Sequence, residues 1–329
     1  MSSGSIRTAI ASDVGLKRRN NQDSGLASHG VYVVCDGMGG GMGGEQASGL
    51  AIQRFAQLAG RPERNRADID DALALAQHDI LQLGRKLGGV AGTTISGLIL
   101  PVTPDSPDSP RPMDSSALPT SPDPSNLPDA SNHTPAASSG RAPREFIDQT
   151  YVVNVGDSRT YHMNPVPGTG SSEAPVWDVS SFTRITRDHS KRQEAIDSGQ
   201  MLPDVAEATI PRNIITQCLG DPNGIEPDVY VADMTGRFII CSDGLHGEVP
   251  DERIAAIAAA HSSPQEAVDA LLAAALNAGG TDNITVIVVD MPPTSPKHHA
   301  FSACKLDAGE EIGVIEDATL QTLRTLRSA

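Results

Sequence analysis

Three runs in this chain lead from apolar residues into an acid, or from an acid into apolar residues. Val31 to Cys35 (VYVVC) run straight into Asp36 and a glycine-dense turn; Phe238 to Cys241 precede Ser242, Asp243 and Gly244; and Asp282 stands just ahead of the last apolar run, in TDNITVIVVD. Continuous apolar runs with β-branched residues read as strands buried on both faces, and a carboxylate at the tip of such a strand is costly unless something pairs with it. A cation is the expected partner, and an ordinary strand-end cap is the bland alternative. A fourth acid, Asp157 in the turn GDS, is by itself no more than a turn former. The polar stretch DVGLKRRNNQDS, which holds Arg18 and Asp23, reads as a loop rich in hydrogen-bonding groups.

The elements around these acids follow from pattern. Residues 6–12 predict a first strand, 45–58 a helix entered from the glycine turn, and 68–87 a second helix, with Ile69, Leu73, Ala76, Ile80, Leu83 and Leu87 on one stripe. Residues 92–100 predict a strand, 150–155 and 159–163 a hairpin joined by the GDS turn, 182–186 a short strand, and the segment from Arg187 to Leu202 a short surface helix. Strands near 228–231 and 237–241, a helix from about 251, a second helix with Ser263 and Glu266 as a capping box and Pro264 in its first turn, and a closing strand at 284–289 complete the body. Residues 101–145 hold 11 of the 24 prolines with many Ser and Asp, which predicts a disordered insertion. If the strands on either side are neighbours, it costs little, because loop-closure entropy grows only logarithmically. The PPTSP run from Pro292 predicts the end of the domain, and the tail beyond it carries a weak helical pattern through Leu320, Leu323 and Leu326.

Length and charge narrow the function. The 329 residues allow two domains, but layered folds of this size form one, so one domain with additions is expected. A net charge of −16, with no run of basic residues beyond Lys17-Arg18-Arg19, argues against a nucleic-acid partner. No apolar run approaches the roughly 20 residues that cross a bilayer, and the N-terminus lacks the apolar region of a signal peptide, so a soluble, cytoplasmic protein without a membrane partner is expected. The four cysteines show no CxxC pair, and Cys35 and Cys241 lie inside apolar runs, so they read as buried thiols.

Taken in order, GLKRRNNQDS, VVCDGMGG, NVGDSR, IICSDGL and TDNITVIVV closely resemble the signatures of the PP2C (PPM) family of metal-dependent protein serine/threonine phosphatases, its bacterial branch in particular. Each is weak singly; five in order at strand ends are specific. The likeness spans roughly residues 6–290 apart from the proline-rich insertion. It implies an α+β fold, a four-layer αββα sandwich of two antiparallel sheets flanked by helices, with the metal centre in a cleft at one end. The implied domain is 5–291, followed by a tail, 292–329, of unknown role.

Carried over by motif, Asp36 would bridge two metal ions, the carbonyl of Gly37 would hold one of them, and Asp243 and Asp282 the other. Asp157 matches the position of a third ion, shared with Asp243; Arg18 matches the arginine that grips the substrate phosphate; and Asp23 matches the acid that orders metal-bound water. Carboxylates, a carbonyl and waters form an all-oxygen shell that suits Mn2+ or Mg2+. Arg19 is the residue that a slip of one position would put in place of Arg18. The implied chemistry is single-step hydrolysis of phosphoserine and phosphothreonine by a metal-bridging hydroxide, without a phosphoenzyme. The implied partners are phosphorylated proteins and a cognate Ser/Thr kinase, and a monomer is expected.

The chain departs from its relatives in three places. Met38 and Gly41 stand where some relatives have His, which leaves the general acid open, and Gln22 stands where many have Glu. His189 in RDHS reads as structural, and His246 could face either way. A haloacid-dehalogenase phosphatase would need a DxDx(T/S) motif, and DIDDA at Asp68 lacks the hydroxyl residue. The alternative of another class is a pseudophosphatase, which binds phosphoproteins on the same fold without turnover.

Overall fold

Alternation along the apolar runs decides the layers. Along β3 (Val31–Gly39), Val31, Val33 and Cys35 face one core while Tyr32 and Val34 face another. Along β10 (Gly236–Cys241) and β11 (Ile284–Met291), Phe238, Ile240, Ile287 and Val289 join Tyr32 and Val34, while Ile239, Cys241, Val286 and Val288 face a third core. Each strand is therefore buried on both faces, as unbroken apolar runs require. The computed structural model describes residues 5–39, 43–104, 149–169, 175–292 and 301–312.

The resulting architecture is the αββα sandwich. One sheet has the order β1-β11-β10-β7-β8, with β1 (Arg7–Asp13), β7 (Arg159–Met163) and β8 (Thr183–Arg184). The other has the order β12-β9-β6-β5-β3-β2, with β2 (Asp23–Ser28), β5 (Ile95–Ile99), β6 (Gln149–Val155), β9 (Asp228–Asp233) and β12 (Ala303–Lys305); β4 (Ala91–Thr93) pairs with β3 beside it. All pairings are antiparallel. Helices α1 (Gly43–Ala59) and α2 (Arg66–Leu87) cover the outer face of the second sheet, and α6 (Asp251–Ala260) and α7 (Pro264–Ala278) that of the first. Smaller helices are α3 (Lys191–Asp197), α4 (Pro203–Thr209) and α5 (Asp243–His246).

Register brings the acids to one end. Asp23 lies opposite Asp36, Cys241 opposite Val286 and Asp13 opposite Ile284, so the start of β2, the end of β3, the end of β10 and the start of β11 share that end. Val155 lies opposite Ile95, which puts the GDS turn there as well.

Several elements differ from expectation. β6 and β7 do not form a hairpin: each belongs to a different sheet, and GDS carries the chain across the sandwich. The predicted strand at 92–100 is divided at Thr94 into β4 and β5. Ser263 is the N-cap of α7 but makes no side-chain cap bond; the capping box is at α2, between Asn65 and Asp68. Residues 101–104, counted with the insertion from composition, pack: Arg64 N–H donates to Pro101 O and Thr103 N–H to Pro62 O. Residues 105–145 lie outside the described residues, and β5 and β6 around them are direct partners. The packed chain also continues past 291. β12 adds to the edge at β9, Leu306 is buried, and Glu311 accepts from the Tyr151 hydroxyl and the Arg66 amide. The leucine pattern at 320–326 lies outside the described residues. Among them, no helix is long and apolar enough to cross a membrane.

Candidate metal centre and active site

Asp36 is pinned through its backbone. Its amide donates to Thr94 Oγ1 at 3.0 Å, and its carbonyl accepts from Thr94 N–H and Thr93 Oγ1, both at 2.9 Å. Thr94 Oγ1 also lies 2.7 Å from Ser158 Oγ in the crossover turn, so one hydroxyl ties the end of β3 to GDS. Gly37 has no room for a side chain: an added Cβ would stand 2.2 Å from Gly44 O and 2.5 Å from Gln22 O. Glycine there lets the first turn of α1 approach β3 backbone to backbone.

Burial and mutual repulsion set the charge of the site. Burial, then Asp23, Asp243, Asp157 and Asp282, holds the Asp36 carboxyl well above the usual range, although one face of it stays accessible. Asp23 is pushed up to about 7, chiefly by burial and then by Asp243 and Asp282, against hydrogen bonds from Ser242 and Thr285. Asp157 is pushed up to about 8 by burial, Asp243 and Asp188. Asp243 is raised by burial and Asp282, against Arg212, a hydrogen bond with Asp36, and Arg18. Two oxygens in this cluster, Asp23 Oδ1 and Asp243 Oδ1, are buried without a hydrogen-bond partner. Asp23 Oδ2 accepts from Ser242 Oγ at 2.7 Å, which fixes where Oδ1 points.

The loop from Val14 to Gln22 is held by one side chain. Asn283, buried beside Asp282, donates to Val14 O and Asn20 O at 3.0 Å and accepts from Gln22 N–H at 2.8 Å. Gly15 sits at φ +74, where an added Cβ would lie 2.1 Å from Asp282 O. This places Arg18 so that its Nη2 donates to Asp282 Oδ2 at 2.6 Å with half its side chain exposed. Arg19 is exposed and makes no ion pair among the described residues.

The crossover turn is held from three sides. His246 Nε2 lies 3.0 Å from Asp157 O, and burial lowers its imidazole to about 3, so it is a neutral donor to that carbonyl. His189 Nδ1 accepts from Gly156 N–H at 3.3 Å. Arg159 pairs with Asp188 at 2.7 Å. Both histidines are thus engaged with the turn, and neither is free to protonate a leaving group. Gly41 lies outside the described residues.

These residues fit a divalent cation. Among the described residues, no three His, Cys, Asp or Glu side chains converge as a ready-made cage. The donor set nevertheless has the right chemistry: crowded, desolvated carboxylates with two unpartnered oxygens. Asp282 uses Oδ2 on Arg18 and Oδ1 on the Asn283 amide, and each oxygen keeps a further lone pair.

Comparison with known proteins agrees with this geometry. The chain is 28% identical over 295 residues to the serine/threonine protein phosphatase PstP of Mycobacterium tuberculosis, a match that covers 87% of this chain and 45% of PstP. It therefore spans about half the length of that relative. It is 25% identical over 299 residues to the protein phosphatase PhpP of Streptococcus pneumoniae, covering 87% of this chain and 98% of PhpP. The crystal structure of the catalytic domain of PstP in complex with two manganese ions superposes with a TM-score of 0.61 at 26% identity, covering 88% of this chain and 99% of that domain. No protein-family model matches.

In sequence and in fold the chain is similar to bacterial protein phosphatases of the PP2C type. All seven residues singled out by the PP2C likeness lie at the same end of the sandwich: Arg18, Asp23, Asp36, Gly37, Asp157 and Asp282 on strand ends or loops, and Asp243 as the first residue of α5. Three residues that build the site carry no role from the PP2C signatures. Thr94 was hidden inside a stretch that reads as one strand, although a polar pair in an apolar run is a signal. Asn283 was legible only as the neighbour of Asp282. Arg212, whose guanidinium lowers Asp243 and donates to Gly247 O, stands in a segment with no pattern to mark it.

Proposed function

We propose that the chain hydrolyses phosphoserine and phosphothreonine in proteins, reversing a cognate Ser/Thr kinase in the cytoplasm, as a monomer that uses Mn2+ or Mg2+. The observation that carries this reading is the cluster of desolvated acids with unpartnered Asp23 Oδ1 and Asp243 Oδ1, faced by Arg18. Asp36, the Gly37 carbonyl, Asp243 and Asp282 would hold two ions, and Asp157 with Asp243 a third. When bound, such cations supply Lewis-acid activation of water and of the phosphoryl oxygens. Arg18 is the phosphate-binding residue: its guanidinium has five donors and uses one on Asp282. Asp23, oriented by Ser242, turns Oδ1 to position the attacking water, so that phosphorus is attacked directly and no phosphoenzyme forms.

The test is turnover of a small aryl phosphate and of a phosphothreonine peptide while Mn2+ is titrated. Hydrolysis should require the metal. Asp36→Asn and Asp243→Asn should each lower turnover by at least about a hundredfold with an unchanged circular-dichroism spectrum. Metal-independent turnover, or full activity in either variant, would overturn the reading.

A further inference from the structure

The segment 301–312 reaches the crossover turn through a line of side chains. In β12, Lys305 lies opposite Tyr230, and its Nζ stands 2.5 Å from Asp228 Oδ1. Asp228 Oδ2 accepts from the Tyr230 hydroxyl at 2.9 Å and faces His189 Nε2 at 3.4 Å. His189 and Asp228 are both nearly buried, whereas Lys305 is mostly exposed. On the other side of the ring, Nδ1 accepts the Gly156 amide, which leaves Nε2 as the protonated nitrogen aimed at Asp228. The Gly156 carbonyl is held as well, by His189 N–H at 2.9 Å and Asn154 Nδ2 at 3.2 Å. Gly156 sits at φ +102, and a Cβ there would meet the Thr94 side chain at 2.6 Å, so only glycine fits just before Asp157, and His189 holds both the N–H and the C=O of that residue.

We infer that Lys305, acting through Asp228 and His189, is a positioning residue for Asp157, so that the segment 301–312 braces the ion position at the crossover turn. This rests on the reading that Asp157 takes a cation. The physical reason is that a ligand's direction is set by what its backbone is fastened to, and an acid fixing the tautomer and plane of a histidine is a strong fastening. Lys305 gives Asp228 a countercharge that keeps it ionised: despite burial, the hydrogen bonds from His189 and Lys305 hold the Asp228 carboxyl down at about 2. Without Lys305 the acid loses a partner and the ring loses orientation. The brace links a segment outside the PP2C signatures to the metal cleft.

Mn2+ binding to the full chain, measured by calorimetry and by electron paramagnetic resonance, tests this apart from catalysis. Asp157→Asn should remove the weakest class of site and so identify it. Asp228→Asn should weaken that class about tenfold and Lys305→Met about threefold, while the tighter sites stay within twofold and Lys305→Arg behaves as the parent. An unchanged weak class in both Asp228→Asn and Lys305→Met would overturn the brace. So would an equal loss at the tight sites, which would mean general loosening. If Asp157→Asn removes no class, the placement of a cation at Asp157 fails and the brace fails with it; if Asp157→Asn acts and Lys305→Met and Asp228→Asn do not, the brace alone fails.

Discussion

At the scale of single residues, two adjacent arginines stand differently: Arg18, the proposed phosphate contact, and Arg19, a solvated charge. Arg18 is drawn to Asp282, whereas Arg19 is exposed with no ion pair among the described residues. A guanidinium holds phosphate oxygens bidentately in the ground state, so Arg18→Ala should raise KM about tenfold or more with a smaller fall in kcat, and Arg19→Ala should stay within about twofold of the parent. Steady-state kinetics on an aryl phosphate would reassign the contact if Arg19→Ala were the crippled variant. The acids themselves were legible in sequence, because an apolar run that ends in Asp leaves few places for that charge to go. Their partners were not. Thr94, Ser242 and Arg212 reach the acids through space from other segments, and nothing in local pattern records that.

At the scale of elements, the loop from Val14 to Gln22 depends on Asn283 for its shape. Removing that amide leaves two carbonyls and one amide, at part-buried positions, without their partner, so Asn283→Ala should cost about 2–4 kcal/mol and raise KM through a loosened Arg18. Denaturant unfolding checks it, and a loss below about 1 kcal/mol would show that the loop is held by something else. Helices and central strands were legible because period and burial agree there: the stripe Ile69, Leu73, Ala76, Ile80 is buried as spaced. The crossing from β6 to β7 was not, since a glycine-led turn between two apolar strands has the same local chemistry in a hairpin and in a step between sheets. β12 escaped notice for a different reason. Three residues after a proline-rich run carry no period, and only the open edge of β9 makes them a strand.

At the scale of the whole molecule, two buried sets of titratable groups pull stability in opposite directions with pH. His162 is enclosed between the sheets, stacked on Phe301, with its imidazole lowered to about 3 by burial. A folded value below the unfolded one gives a contribution that is fully present above about pH 6.5 and is lost as pH falls. The acids of the cleft have the reverse sign. Asp23 at about 7 and Asp157 at about 8 lie above their unfolded value of 3.8, so the folded chain binds more protons than the unfolded one across that interval and loses stability as pH rises through it. The slope is roughly 1.4 kcal/mol per pH unit for each carboxyl still protonated in the folded state. The metal-free protein should therefore lose stability above pH 6, where His162 no longer offsets the acids, with Tm falling from pH 6 to pH 8. A divalent cation that binds the ionised acids displaces those protons and reverses the trend, so the rise in Tm on adding Mn2+ should be larger at pH 8 than at pH 6. Thermal unfolding with chelator and with Mn2+ at the two pH values decides it: a metal-free Tm that holds or climbs towards pH 8, or a Mn2+ shift equal at both, would mean that the acids at the end of the sandwich are not the charge that the cation neutralises.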